Sequence, residues 1–186
     1  MKAVIMAGGK GTRLKPLTCN KPKPMVPIVN RPMMEHIVNL LKQYNFSDLM
    51  VTLFYLPEAV ETYFGDGRKF GVSMQYFVEE TPLGTAGSVK NGEAFLDDTF
   101  LVISGDALTD IDLEAAVRFH RDKKATASLV LSKVDTPLEF GVVITDQDGK
   151  IKRFMEKPGW GEVFSDTINT GIYILEPKIF NYFQSG

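Results

Sequence analysis

Continuous apolar runs alternate with amphipathic stretches along the first two-thirds of the chain. Four short runs of aliphatic and β-branched residues predict strands that are buried on both faces, because neither face of such a run is polar. These strands are predicted at 3–6, 49–54, Ser73–Val78 and 99–104. Apolar residues at helical spacing predict helices at 32–44, at Pro57–Phe64, from the 79–84 loop to about 96, and at Leu113–Lys123. This alternation is typical of a mostly parallel sheet with helices on both faces.

The pattern changes after about residue 126, where strands follow one another without long helices. Strands are predicted at 127–134 and 168–175, and a hairpin joins Gly141–Thr145 to Ile151–Glu156 across an Asp148-Gly149 turn. A last helix is predicted from Pro177. We therefore predict an α/β protein, a three-layer α/β/α sandwich with a Rossmann-like, mostly parallel mixed sheet to which the hairpin adds an antiparallel part.

Composition narrows the class of protein. With 186 residues, 44% of them hydrophobic, the chain can build one sizeable core, and we predict one domain over 1–186. The net charge of -2 argues against a nucleic-acid partner bound through a broadly basic surface. The single cysteine, Cys19, fits a reducing compartment. No apolar run reaches the roughly 18 residues of a membrane helix, and the early first strand leaves no room for a signal peptide. We therefore expect a cytoplasmic protein without a membrane partner.

The main candidate chemistry lies in the loop after the first strand, Ala7-Gly8-Gly9-Lys10-Gly11-Thr12-Arg13-Leu14. Its glycines allow a tight turn whose backbone N–H groups can approach a ligand closely. Four cations lie in or just beyond it: Lys10, Arg13, Lys21 and Lys23. Amides and cations at the carboxyl end of a strand predict a polyphosphate site, although the residues alone also fit a surface turn with solvated lysines. Leu14 stands where a dinucleotide fingerprint needs its third glycine, and the spacing does not match a P-loop.

The same loop carries a resemblance to a known family. Gly8 to Leu14, followed by Pro16-Leu17-Thr18 and Pro22-Lys23-Pro24, resembles the signature of the sugar-phosphate nucleotidyltransferases, and the similarity extends along the whole chain. Within this family the chain most resembles mannose-1-phosphate guanylyltransferases. The resemblance implies the fold of nucleotide-diphospho-sugar transferases. It also implies a nucleotide-binding loop formed by Ala7, Gly8, Gly9, Gly11, Thr12 and Arg13. In the catalytic step, Arg13 would hold the departing pyrophosphate and Lys23 would stabilise charge at the α-phosphate.

Two more predicted strands end in candidate site residues. Small residues in Gly84-Thr85-Ala86-Gly87 allow a flat base to lie against the backbone, and the resemblance assigns Gly84 and Thr85 to the nucleobase; simple helix initiation explains the same residues. Asp106 follows a buried strand and a glycine, where a carboxylate is poorly placed for packing and well placed for a cation such as Mg²⁺. The matching aspartate of the family is a metal ligand, so Asp106 is predicted as a catalytic metal ligand. Ser104 stands where the family commonly has Asn.

The resemblance also predicts a sugar-phosphate site in the last third of the chain. Gly141 matches a position whose backbone faces the sugar. Glu156-Lys157-Pro158 matches a motif in which Glu accepts hydrogen bonds from sugar hydroxyls and Lys holds the phosphate on the sugar. Asn169 opens the next sugar-facing segment, in which Thr170 replaces the usual Ala.

These residues predict nucleotidyl transfer, in which a sugar 1-phosphate attacks the α-phosphorus of a nucleoside triphosphate and expels pyrophosphate. GTP and mannose 1-phosphate are the favoured substrates. The attacking phosphate is already anionic, so positioning and charge neutralisation suffice. One alternative is a glucose-1-phosphate thymidylyl- or uridylyltransferase, and another is a non-catalytic regulatory subunit with this fold. Retention of Arg13, Lys23, Asp106 and Lys157 argues against the second. A Rossmann oxidoreductase is disfavoured by Leu14.

The resemblance further predicts a catalytic domain that is incomplete at its C-terminal end. Relatives place a second metal-binding aspartate beyond the 169–173 segment, followed by a region used in assembly, and Asp166 does not match that aspartate. With one protein carboxylate, Mg²⁺ would be held mainly by the phosphates of the nucleotide, and turnover would be impaired. Assembly into a homo-oligomer is left open.

Overall fold

The structure is a computed structural model that describes residues 1–159, 161 and 165–183. Its strands are β1 (Lys2–Met6), β2 (Pro27–Ile28), β3 (Arg31–Pro32), β4 (Asp48–Leu53), β5 (Ser73–Val78), β6 (Phe100–Ser104), β7 (Ala127–Lys133), β8 (Gly141–Thr145), β9 (Ile151–Glu156) and β10 (Thr167–Leu175). Its α-helices are α1 (Met33–Gln43), α2 (Pro57–Phe64), α3 (Gly84–Lys90) and α4 (Leu113–Lys123). None of the helices in these residues is both long and apolar enough to cross a membrane.

The chain divides into two compact units. Unit 1 contains Met1–Ser128 and the stretch from Tyr173 onwards, and unit 2 is Leu129–Ile172. The single domain expected from the sequence stays a prediction, and each unit is described by itself. The predicted α/β fold, with mostly parallel strands and an antiparallel part, is confirmed.

Unit 1 is built on a parallel sheet with the strand order β5-β4-β1-β6. Lys2 of β1 pairs with Asp48 of β4 on one side and with Phe100 of β6 on the other. Strand β4 also pairs with β5, and all three strand pairings are parallel. The central residues of β1, β4 and β6 are buried, as their continuous apolar runs predict. Because the strands are parallel, their carboxyl ends share one edge of the sheet.

One hydrophobic cluster of unit 1 ties the sheet to the segment after β10. Its buried members are Val4, Met50, Val89, Leu96, Phe100, Val102, Leu175 and Phe180. The rings of Phe100 and Phe180 stack with centroids 5.8 Å apart and planes only 7° from parallel. The stretch predicted as a helix from Pro177 is a 3₁₀ helix, Pro177–Tyr182, and Phe180 is its buried residue.

The predicted helices α2 and α4 are confirmed with the same bounds, and Asp112 caps α4 by accepting a hydrogen bond from the Ala115 N–H at 2.9 Å. Two other boundaries were wrong. Pro32 belongs to β3 and caps α1 rather than opening it. Helix α3 ends at Lys90 because Gly92 packs against Met50, where a Cβ would lie 2.2 Å from the thioether sulfur, and glycine is a poor helix former.

Unit 2 contains the predicted hairpin with its predicted bounds. Strands β8 and β9 are antiparallel, and Gly141 pairs with Glu156. In the turn, Gly149 has a φ of 80°, and the Asp146 carboxylate accepts hydrogen bonds from the N–H groups of Asp148 and Lys150. Strand β10 is antiparallel to β8, with Ile168 opposite Val142. Trp160, which the sequence places in a loop, lies outside the described residues.

A buried polar cluster in unit 1 closes the end of α4. The ring of His120 is 1% exposed, and its two nitrogens lie 2.9 Å from Ser128 Oγ and 3.0 Å from Glu176 Oε1. The hydroxyl of Thr99 donates to the same Glu176 oxygen at 2.7 Å. The hydrogen bond from Thr99, helped by those of His120 and opposed by partial burial, lowers the pKa of Glu176.

We expect Glu176→Gln, which keeps an acceptor but removes the charge, to destabilise the protein by about 1 kcal/mol at neutral pH. Because the folded pKa lies below the unfolded value, the stability from the charge is present above the unfolded pKa and is lost as pH falls through the folded pKa. Urea unfolding should therefore separate variant and wild type at about pH 7, and the difference should shrink as the pH is lowered through the folded pKa of Glu176. A difference that does not change with pH would contradict this, and Glu114→Gln, at an exposed glutamate of α4, is the control.

Candidate functional site

The candidate site of unit 1 lies where the order of its strands reverses. From β1 the chain moves to β4 and β5 on one side, and then to β6 on the other side of β1. In open α/β sheets, ligands bind at such a point, beyond the carboxyl ends of the strands. Met6 at the end of β1 pairs with Ser104 at the end of β6, and the Gly105 N–H donates to the Met6 carbonyl at 2.7 Å. The loops after these two strands are therefore neighbours.

The loop after β1 turns back on itself at Gly11, which has a left-handed backbone with φ 60° and ψ 34°. A Cβ on Gly11 would lie 3.0 Å from both Lys23 Cβ and Thr18 Cγ2. The Thr18 hydroxyl donates to the Gly11 carbonyl at 2.8 Å, and Thr18 is 1% exposed. The glycine is thus required by both its backbone and its packing, and it brings the segment around Lys23 against the loop.

The loop and the ends of β1 and β6 enclose a pocket of about 220 Å³. The lining residues are Met6, Ala7, Gly9, Gly11, Thr12, Arg13, Leu14, Lys23, Pro24, Ser104 and Asp106. The pocket therefore brings together seven predicted site residues, although Arg13 and Lys23 are separated in sequence from Asp106 by the whole of β4, α2 and β5.

Three of the predicted nucleotide-binding residues lie outside that lining. Gly8 faces β4 instead, since a Cβ there would lie 3.3 Å from Phe54 Cβ, and Lys10 Nζ lies 5.5 Å from the centre of the same Phe54 ring. Gly84 and Thr85 are exposed at the start of α3, where the φ of Gly84 is 69°. A Cβ on Gly84 or on Gly9 would meet nothing within 4 Å, so both backbones are open to close approach.

Asp106 is held on both of its oxygens. The Lys23 ammonium forms an ion pair with Oδ2, and the Ser104 hydroxyl donates to Oδ1 at 2.5 Å. The side chains of Lys23 and Asp106 are about 30% exposed. Burial acts to raise the pKa of Asp106, but the hydrogen bonds from Lys23 and Ser104 and the charge of Lys23 outweigh it and hold that pKa below its usual range. The carboxylate is therefore charged at neutral pH.

Asp106 fits a magnesium site in which the phosphates of a ligand supply further oxygens. The described residues contain no group of three or more His, Cys, Asp or Glu that could hold a metal ion by themselves. Mg²⁺ needs no such cage, because it is commonly bound by one or two carboxylates together with water and the phosphates of a ligand. A charged, partly exposed carboxylate beside a pocket lined by glycines and cations meets that requirement.

A buried carboxylate marks the end of β5. Glu79 is 7% exposed, its N–H donates to the Leu53 carbonyl at 2.8 Å, and its Oε2 accepts from the Leu83 N–H at 3.1 Å. Within the part of the chain that the structure describes, its Oε1 has no hydrogen-bond partner. A buried carboxylate oxygen without a partner is costly, so Glu79 is suited to accept a donor from a ligand. From the sequence, Glu79 is predicted only as part of a loop.

Unit 2 places three of the predicted sugar-phosphate residues in one row across its strands. Gly141 of β8 pairs with Glu156 of β9, and the pairing of Ile168 with Val142 sets Asn169 of β10 beside Gly141 on the other side. A Cβ on Gly141 would lie 3.1 Å from Glu156 Oε2, so the carboxylate reaches over the glycine. Lys157 follows directly, exposed, with its N–H donating to the Phe140 carbonyl at 3.1 Å.

The hydrogen bond from Thr18 to Gly11 should be needed to hold the first loop. We expect Thr18→Val, which has the same shape but no hydroxyl, to cost about 1 kcal/mol of stability and to weaken triphosphate binding. Thr18→Ser keeps the donor and should stay close to wild type. Urea unfolding and calorimetric titration with a nucleoside triphosphate measure the two effects, and equal behaviour of the Val and Ser variants would remove the hydroxyl from this role.

The chain matches one protein family along almost its entire length. The family model described as "Nucleotidyl transferase" matches residues 2–185. Among curated proteins, the chain is 46% identical to a UTP–glucose-1-phosphate uridylyltransferase of Synechocystis sp., over 100% of the chain and 52% of that protein. It is 37% identical to a mannose-1-phosphate guanylyltransferase of Mycobacterium tuberculosis, over 99% of the chain and 51% of that protein. The chain therefore spans about half the length of these relatives.

Solved structures agree with this fold. A putative glucose-1-phosphate thymidylyltransferase from Bacillus anthracis, in complex with a sucrose, is similar with a TM-score of 0.89 and 35% identity, over 98% of this chain and 74% of that one. HddC from Yersinia pseudotuberculosis complexed with GMP-PN is similar with a TM-score of 0.83 and 27% identity, over 99% of this chain and 80% of that one.

Proposed function

Because the chain belongs to the nucleotidyl transferase family, we propose that it transfers a nucleotidyl group from a nucleoside triphosphate to a sugar 1-phosphate and releases pyrophosphate. The observation that carries the proposal is the pocket of unit 1, in which the glycine loop, Arg13, Lys23 and Asp106 converge at the reversal of the strand order. Amides and cations there suit a triphosphate, and a charged carboxylate suits its metal ion.

The chemistry requires positioning more than bond-making by the protein. An oxygen of the sugar 1-phosphate, already anionic, bonds to the α-phosphorus of the triphosphate. The bond from that phosphorus to the bridging oxygen of pyrophosphate breaks, and the electron pair leaves with the pyrophosphate. Arg13 and the amides of the loop neutralise the leaving group, and Lys23 neutralises charge that develops at the α-phosphate. No side chain has to act as a nucleophile.

Asp106 is the residue that would hold Mg²⁺, with the phosphates of the bound nucleotide supplying further oxygens. When bound, the ion supplies charge neutralisation at the phosphates. Ser104 holds the carboxylate through Oδ1, which fixes where a cation can meet it.

We further propose that the residues of unit 2 bind the sugar 1-phosphate. The row of Gly141, Glu156 and Asn169 places a carboxylate and a carboxamide beside each other, and both groups suit sugar hydroxyls. Lys157 beside the row offers a positive charge for the phosphate.

GTP is the favoured nucleotide because of Glu79. Guanine presents two neighbouring donors, its ring N1–H and its exocyclic amino group, to which a carboxylate oxygen can bond. Uracil and thymine present one N–H between two carbonyl oxygens, and these repel a carboxylate. The free Oε1 of Glu79, on the loop that leads to Gly84 and Thr85, suits guanine on this ground. Several relatives bear the name mannose-1-phosphate guanyltransferase, which favours mannose 1-phosphate as the second substrate.

A second candidate is transfer of a uridylyl group to glucose 1-phosphate. The observation that favours it is the 46% identity with the Synechocystis uridylyltransferase, higher than that with the named guanylyltransferases. The sugar and the nucleobase are then both different, whereas the phosphate chemistry is the same.

A matrix of substrates tests the proposal and separates the two candidates. Pyrophosphate release is measured with each of the common nucleoside triphosphates, in turn with mannose 1-phosphate, glucose 1-phosphate or no sugar phosphate. We expect release that requires a sugar 1-phosphate and is fastest with GTP. Glu79→Gln should reduce the preference for GTP over UTP by about tenfold, since it exchanges an acceptor for a donor. Fastest release with UTP and glucose 1-phosphate would select the second candidate, and release without any sugar phosphate would contradict both.

Lys157→Ala should weaken the binding of sugar 1-phosphate by about tenfold and leave triphosphate binding unchanged, because one charge contact to a phosphate is removed. Calorimetric titration with each substrate measures both affinities. Lys152→Ala, on an exposed lysine of β9, is the matched control. Equal loss of both affinities in the Lys157 variant would contradict a role specific to the sugar phosphate.

A further inference from the structure

We propose that Lys23 and a divalent cation are alternative partners of Asp106, and that Ser104 is a positioning residue that keeps the carboxylate in place while the partner changes. The inference takes the identity of the cation site from the proposed function and adds how that site is switched. One oxygen of Asp106 contacts the Lys23 ammonium, and the other accepts a hydrogen bond from the Ser104 hydroxyl.

The two cations compete for the same oxygen of the carboxylate, Oδ2. An ammonium contacts Oδ2 at hydrogen-bond distance, and Mg²⁺ takes an oxygen directly, at about 2.0–2.1 Å, with near-octahedral geometry. Two positive charges on one oxygen would repel each other, and the site is partly buried, so solvent screens that repulsion less than at an open surface. Binding of the metal ion at Oδ2 therefore weakens the contact with the Lys23 ammonium and favours its departure.

The Lys23 ammonium can contact the phosphates of a nucleotide when it leaves Asp106. Its side chain is 29% exposed and lines the same pocket as Gly9, Gly11 and Arg13. A triphosphate in that pocket would offer several anionic oxygens to the released ammonium. Lys23 would then pass from the carboxylate to the phosphates in the step in which the metal ion arrives, so that neither Asp106 nor Lys23 is left without an opposite charge.

Ser104 is the part of the arrangement that does not have to change. It is the last residue of β6, and its backbone is fixed by pairing with Met6 of the neighbouring β1. Its hydroxyl bonds to Oδ1, the oxygen that Lys23 does not use. The hydrogen bond can persist with either cation on Oδ2, so the rotamer of Asp106 is kept through the exchange.

The exchange makes the metal ion and the nucleotide dependent on each other. Without a triphosphate, a metal ion must displace Lys23 and leave its charge without a partner. With a triphosphate, the displaced ammonium gains phosphate oxygens. Binding of each therefore favours binding of the other, and the coupling is reciprocal.

The first test measures Mn²⁺ binding to the chain without nucleotide, by electron paramagnetic resonance of the free ion. We expect Lys23→Met to bind Mn²⁺ about tenfold more tightly than wild type, because the competing charge is gone. Lys23→Gln should behave like Lys23→Met, whereas Lys23→Arg and the control Lys21→Met should bind as weakly as wild type. Adding Asp106→Asn to Lys23→Met should abolish the gain. Unchanged or weaker Mn²⁺ binding in both neutral variants would overturn the exchange.

The second test separates Ser104 from a merely structural residue. In the Lys23→Met background, Ser104→Ala should lower Mn²⁺ affinity about threefold or more, whereas Ser104→Thr, which keeps the hydroxyl, should preserve it. Equal Mn²⁺ affinity of the Ala and Thr variants would overturn the positioning role. Neither test uses a substrate. Mn²⁺ binding can therefore contradict the exchange while pyrophosphate release supports the proposed function, and the opposite pair of results can also be recognised.

Discussion

Replacing Lys23 by methionine should lower the single-turnover rate of nucleotidyl transfer by about a hundredfold, or about 3 kcal/mol. The ammonium lines the pocket beside the glycine loop, where it can meet charge that develops at the α-phosphate. A contact that is stronger in the transition state than in the ground state acts mainly on the rate of the chemical step. Rapid-quench kinetics at saturating substrates measures that rate directly.

Lys21→Met is the matched control for this prediction. Lys21 lies two residues earlier and takes part in none of the ion pairs found among the described residues. Its replacement removes the same charge from the same segment and should leave the rate within about twofold of wild type. Equal rates for the Lys23 variant and wild type would show that the ammonium does not take part in the chemical step. Equal slowing by both variants would show that any positive charge in this segment has the same effect.

Asp106→Asn should have the larger effect, a loss of about a thousandfold in rate, or about 4 kcal/mol, at moderate Mg²⁺ concentrations. The substitution keeps the shape of the side chain and an acceptor for Ser104 but removes the charge that would bind the metal ion. Part of the loss should be recovered at high Mg²⁺, because the phosphates of the nucleotide still provide ligands.

Rate measurements over a range of Mg²⁺ concentrations test this prediction. Asp110→Asn serves as the control, because Asp110 is an exposed carboxylate four residues further along the same loop. The control should show the Mg²⁺ dependence of wild type. If Asp106→Asn also kept that dependence, the metal ion would have to be placed elsewhere.

The sequence predicted the part of the site that depends on strand order. Continuous apolar runs identified β1 and β6, and parallel pairing brings their carboxyl ends to one edge, so Asp106 and the glycine loop had to lie near that edge. The family signature added Lys23. The packing that presses Lys23 against the loop depends on the left-handed backbone of Gly11, which only the folded structure displays.

Contacts between distant side chains could not be predicted. The ion pair of Lys23 with Asp106 joins residues 83 positions apart. From the sequence, Lys23 was predicted to contact a phosphate and Asp106 a metal ion, and neither was predicted to contact the other. Thr18 appeared only as part of a signature, although a buried threonine next to a glycine turn is a signal for a hydrogen bond to the backbone. Glu79 looked like one more polar residue of a loop, since burial of its carboxylate results from the pairing of β5 with β4.

Errors in the helices have the same origin. Residues 84–96 were predicted as one helix, but the contact of Gly92 with Met50 of β4, which belongs to the tertiary structure, falls within that stretch. Pro32 fits the first position of a helix, but its pairing with Pro27 places it in β3, just before α1.

If the chain transfers a nucleotidyl group as proposed, the α-phosphorus of the triphosphate ends in a nucleotide sugar. The most direct measurement follows a radioactive α-phosphate through a single incubation of the chain with labelled GTP, mannose 1-phosphate and Mg²⁺, with separation of products by chromatography. We expect the label in a nucleotide sugar, formed in equal amount to pyrophosphate, with little formed by Asp106→Asn. Nucleotidyl transfer by this chain would be contradicted if the label stayed in the triphosphate with every sugar 1-phosphate and every labelled nucleoside triphosphate, or appeared only as free nucleotide.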